Sequence, residues 1–160
     1  HASLRAPFLD FLCRPADYIQ WLFPTLQMSG FNRKAKILTD EDVKLMTTDA
    51  AVMRKMDESY TFYINFMGYN VDLPTGILTK MEADVHKTRM TNIREKKHNY
   101  LRITRILEWL RIMNRDKARD HFKKMLDTDE ILNAQENTAA WIKTKQFWEK
   151  AANPPKITTV

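Results

Sequence analysis

Met53, Met56, Tyr60, Tyr63, Ile64 and Met67 recur at spacings of three and four, which places them along one stripe of a helix over about 49–67. Gly68 follows as a left-handed cap. Upstream, Thr39 precedes Asp40, Glu41 and Asp42. The hydroxyl can accept a free backbone N–H and the acids complement the positive helix end, so a short helix over about 40–46 is predicted. Tyr69 to Thr79, holding Pro74 and Gly76, reads as a loop.

A second long helix is predicted over about 99–114, with Asn99 as its cap and Tyr100, Ile103, Ile106, Leu107, Leu110 and Met113 as its first stripe. On an ideal wheel Leu101, Trp109 and Ile112 fall opposite, interleaved with Arg102 and Arg105. Such a helix either lies at the centre of a bundle or turns its second face to a partner. Further helices over about 116–126 and 129–151 end at Asn153, Pro154 and Pro155. No alternating strand pattern longer than four residues stands out. The expected fold is all-α, a compact single-domain bundle of about five to seven helices over residues 1–153, with 154–160 as a tail.

The composition narrows the function. The chain's 160 residues are the length of one domain, and 44% apolar residues suffice for a core. Three glycines are too few for a phosphate-cradling loop, which excludes Rossmann and P-loop enzymes. The single cysteine, Cys13, cannot form an internal disulfide and no N-x-Ser/Thr acceptor occurs, so an intracellular compartment is expected. The longest uncharged stretch, Tyr18 to Asn32, is fifteen residues broken by Pro24, too short for a bilayer span. Removal of a mitochondrial presequence would account for a start at His1 and place the protein in mitochondria; a trimmed chain would leave cytoplasm or nucleus.

Charge is uneven. The net +6 lies wholly in the second half, and residues 86–124 hold thirteen Lys/Arg against four Asp/Glu. Such a segment suits nucleic acid, anionic lipid headgroups or an acidic protein partner; alternatively it is a solvated face beside the acidic cluster Asp127, Asp129 and Glu130.

Catalytic chemistry finds little support. His1, His86, His98 and His121 never stand three or four apart, so no two share a helical face as metal ligands. Asp120 and His121 are helix neighbours that do not face each other. There is no nucleophile elbow. No enzyme, metal or cofactor is expected.

Two stretches stand apart. Tyr18-Ile19-Gln20-Trp21-Leu22-Phe23-Pro24 packs three large rings into seven residues, either a core plug or an exposed anchor for a partner. In His98-Asn99-Tyr100-Leu101-Arg102-Ile103-Thr104-Arg105-Ile106-Leu107, Arg105 stands one turn before Trp109, close enough for its guanidinium to lie on the indole. Arg102 and Arg105 can together grip a carboxylate or phosphate, or satisfy carbonyls and acids within the bundle. The candidate interaction residues are therefore Tyr18, Trp21, Phe23, Pro24, His98, Asn99, Arg102, Arg105 and Trp109.

The blocks Tyr18 to Pro24 and Leu101 to Leu107 resemble those of the opioid growth factor receptor family. Asn32, Ala35 and Lys36, then Leu38-Thr39 with its acids, the helix closing on Gly68-Tyr69, and His98-Asn99 agree as well; the similarity runs from about residue 8 to 122. The resemblance implies an all-helical, non-enzymatic domain, in animals a receptor for an enkephalin-type peptide acting at the nucleus to restrain proliferation. Three uses follow. The first is a protein-interaction or scaffold module, an accessory subunit of a larger assembly whose basic segment meets an acidic partner. The second is nucleic-acid binding through 86–124. The third is peptide capture, which needs an acceptor cluster for an amine and an apolar groove for tyrosine and phenylalanine.

Overall fold

The computed structural model describes residues 39–155. Within them the chain forms α1 (Asp40–Thr48), α2 (Ala50–Phe66), β1 (Tyr69–Val71), β2 (Leu78–Lys80), α3 (Ala83–Glu95), α4 (His98–Ile112), α5 (Asp116–Thr128) and α6 (Ala139–Ala152). The expected all-α class holds, with one small addition.

Helix α1 starts at Thr39 through a capping box: Asp42 N–H donates to Thr39 Oγ1 at 3.2 Å while Thr39 N–H donates to Asp42 Oδ2 at 3.0 Å. Thr39→Ala is expected to cost about 1 kcal/mol of unfolding free energy in a urea titration, because it orphans one of these donors. Helix α2 is capped by Asp49 and buries Met56, Tyr60, Tyr63 and Ile64 from the predicted stripe. Gly68 ends it at φ +90°.

The stretch read as a loop instead holds a β-hairpin, with Tyr69 opposite Lys80 and Val71 opposite Leu78. Strands of three residues are too short to show alternation in sequence. Helix α3 was absent from the sequence reading. It is dominated by polar residues and buries only His86, Met90 and Ile93, a stripe too sparse to mark it.

Two boundaries also move. Asn99 is not a cap: α4 begins at His98 and Lys97 precedes it without a side-chain cap, so Asn99 lies buried in the first turn. The last helix is shorter than expected, since residues 129–138 form turns and α6 starts at Thr138, whose hydroxyl accepts from Trp141 N–H.

Helix α4 occupies the centre and buries eight side chains, and of its second apolar direction it buries Trp109 and half-buries Ile112. On one side it packs along α6, where Tyr100, Trp141 and Trp148 form a knot with ring centroids 5.5–5.7 Å apart. The Trp148 indole N–H donates to Tyr100 C=O at 3.1 Å. On the other side Trp109 meets Tyr60 of α2, whose ring also meets Phe122 of α5 edge-on. Leu101, from the second stripe, is 56% exposed.

Candidate functional site

Tyr18, Trp21, Phe23 and Pro24 lie outside the described residues. The other five candidates all sit on α4. His98, Arg102, Arg105 and Trp109 follow one another at spacings of four, three and four, a single line down the helix, with Asn99 beside it. The line runs inward. Asn99, Arg102 and Trp109 are buried, and Arg102 Nη1 donates to Asn99 Oδ1 at 3.3 Å. His98 is half-buried, and burial, with the charges of Arg102 and Lys96 beside it, pulls its pKa below the usual imidazole value, favouring the neutral ring. Burial likewise lowers the Arg105 guanidinium, opposed by Glu108, and raises the Glu108 carboxyl, opposed by Arg105 and Arg111.

Much of the basic segment is engaged within the chain. Arg94 and Arg111 donate to the carbonyls of Ile131 and Ala151, and Arg115 pairs with Asp57. Arg119 pairs with Asp116, and Lys123 bridges Asp127 at 2.7 Å and Glu149 at 2.8 Å, tying α5 to α6. Lys87, Lys96, Lys97, Lys117 and Lys124 remain exposed.

A polar cluster escaped the sequence reading. Asp129, grouped there with Asp127 and Glu130 as an acidic cluster, is 1% exposed. Its Oδ2 accepts from the Tyr69 hydroxyl at 2.5 Å and lies 2.8 Å from His86 Nε2, while Oδ1 accepts from Leu132 N–H at 2.8 Å. Burial alone would raise this carboxyl. The bonds from Tyr69, Leu132 and His86 outweigh burial and hold it below the ordinary value, while burial and the carboxylate together push the Tyr69 hydroxyl far up. Three residues separated by 17, 43 and 60 positions share no local pattern that could have revealed them. Enclosed on all sides, they join β1, α3 and the turn after α5, and their geometry is that of a structural pin. Among the described residues no three His, Cys, Asp or Glu side chains come together as a metal site, and no helix is long and apolar enough to cross a membrane.

The concave surfaces lie elsewhere. A groove of about 490 Å³ runs along the outer face of α2 to the hairpin tip. Met53, Phe62 and Leu73 supply apolar surface, with Asp57, Glu58 and Arg54 among them. A second cavity of about 360 Å³ lies between α2, the hairpin and the start of α5, and Leu73 borders both. Sequence reading missed these because each draws on segments distant along the chain.

The family model described as the opioid growth factor receptor conserved region matches residues 8–146. The chain belongs to this family. The match extends past residue 122 into α6, where it takes in Trp141 and stops short of Trp148. The chain is 36% identical to the opioid growth factor receptor of Rattus norvegicus over 102 residues, 63% of this chain and 17% of the relative. It is 36% identical to that of Homo sapiens over 94 residues, 59% and 14%. With opioid growth factor receptor-like protein 1 of Mus musculus it shares 37% identity over 93 residues, 58% and 19%. The chain thus spans under a fifth of the curated relatives it matches. These relatives are named as receptors, not enzymes. No solved structure matches the chain.

Proposed function

We propose that the domain is a non-catalytic binding module that takes the amino-terminal end of a short peptide in the groove along α2. The observation that carries this reading is the groove's composition. Met53, Phe62 and Leu73 offer apolar surface to a tyrosine or phenylalanine ring, and Glu58, beside an Asp57 already paired with Arg115, offers an acceptor to an amine. This is the pairing that peptide capture requires. Relatives named as receptors of an opioid growth factor support a ligand of that kind. The inward use of Arg94, Arg111, Arg115, Arg119 and Lys123 favours this reading over nucleic-acid binding, which needs a row of cations free to meet phosphates.

Fluorescence anisotropy with a carboxyl-terminally labelled pentapeptide, bearing a free amine and tyrosine and phenylalanine side chains, tests the proposal. Acetylating the amine is expected to weaken binding by about tenfold or more, the scale of a hydrogen bond to a charged group. Glu58→Gln, on an exposed residue, should weaken it by about fivefold without loss of helical circular dichroism. Equal binding of the acetylated and free peptides, or none at millimolar peptide, would overturn the reading.

A further inference from the structure

The α2 groove holds two charges that do not neutralise each other. Arg54 and Glu58 both line it, both are exposed, and among the described residues neither forms an ion pair. They stand four apart on one helix, so their side chains are neighbours, but the base precedes the acid, the order in which such a pair gains least. The third charge of the groove, Asp57, is neutralised by Arg115. What remains is one cation and one anion about 6 Å apart along the helix axis.

We infer that Arg54 reads a carboxylate two residues along from the amine held at Glu58, so that the groove selects a peptide whose amino-terminal end carries both charges. The role of Arg54 rests on the peptide reading of that groove. The order of groups along α2 gives the ligand a direction. Phe62 lies one turn beyond Glu58, and Met53 and Arg54 lie about one turn before it. A first side chain set against Phe62 leaves the chain to run toward Met53, where Arg54 is the groove's one cation among the described residues. Toward the other end the polar lining is neutral, Thr61 and Asn65.

The spacing fits a carboxylate from either of two sources. An extended chain advances about 3.3 Å per residue, so two residues cover the separation of Arg54 from Glu58. Its first and third side chains point to one face, and a ring at the first position enters the groove together with an acid at the third. A free dipeptide places its own terminal carboxylate at the same distance. In both cases a carboxylate accepts from the guanidinium fork.

Fluorescence anisotropy at low ionic strength tests this with two carboxyl-terminally labelled pentapeptides. They share a free amine and a first tyrosine and differ in aspartate or asparagine at the third position. The aspartate peptide is expected to bind about fivefold more tightly, the upper scale of an exposed charge pair. Arg54→Gln should remove that preference and keep helical circular dichroism. Lys55→Gln, which takes away the neighbouring cation outside the groove's lining, should preserve it. Unlabelled tyrosylglycine and tyrosylglycinamide, competing against the asparagine peptide, probe the second source. A preference for the acid that Arg54→Gln removes assigns the site to a free dipeptide end; a preference between the pentapeptides alone assigns it to an acidic side chain. Equal affinity within both pairs, or a preference that survives in Arg54→Gln, would overturn the role of Arg54. If acetylating the amine still weakens the same peptides, the peptide reading stands without it. No binding by any of them overturns both.

Discussion

Asp129→Ala is expected to lower the unfolding free energy by about 3–5 kcal/mol, measured by urea denaturation near neutral pH, because it takes a buried carboxylate acceptor from several buried groups at once. The substitution withdraws the acceptor from the Tyr69 hydroxyl, the Leu132 N–H and His86 Nε2 together. Each is left buried without this acceptor, and an unsatisfied buried donor alone costs about 1–3 kcal/mol. Asp129→Asn should be milder, since the amide oxygen keeps an acceptor for one donor while its NH₂ opposes another. The pH dependence has a fixed sign. The native carboxyl lies below its ordinary value, so its stabilising contribution is complete above the unfolded-state pKa of about 3.9 and is lost as pH falls through the lower native one. Acid unfolding should be less steep in Asp129→Asn, with the difference confined to this acid window. An unchanged acid limb would mean that the carboxylate contributes nothing there.

The same pin shows where sequence reading reached its limit. Periodicity found α2 and α4 because each carries a full apolar stripe, and it found the start of α1 because Thr39 and Asp42 satisfy each other within four residues. It missed α3, whose buried side is only His86, Met90 and Ile93, and it missed the hairpin, whose strands complete barely one alternation. It extended the last helix through Asp129, where a buried side chain draws the backbone into turns instead. The candidate residues divide in the same way. Arg102, Arg105 and Trp109 were legible as neighbours because a single helix holds them, whereas His98 was not, since reading Asn99 as the cap left it outside that helix. Which direction that line faces was not legible, because tertiary packing decides it. The groove and the cavity were invisible for the same reason: Met53 and Leu73, or Tyr60 and Lys117, become neighbours only when the hairpin folds back between α2 and α5.

Gly68→Ala is expected to destabilise by about 2–4 kcal/mol, although it adds one methyl group. Part of this is local: at φ +90° an L side chain presses on its own backbone, at about 1–2 kcal/mol. The rest is tertiary. A Cβ here would stand 2.9 Å from His86 Cα and 3.2 Å from His86 O, and these are backbone atoms of α3 that no rotamer change can withdraw. Relief requires α3 to move, which carries His86 away from Asp129 and opens the pin. The two substitutions should therefore be coupled. In the Asp129→Ala background, where α3 is no longer held by that bond, Gly68→Ala should cost less than in the parent, with an interaction energy of at least about 0.5 kcal/mol in a double-mutant cycle. Additive costs would show that α2's last turn and α3 adjust independently, and that Gly68 is required only for its backbone angle.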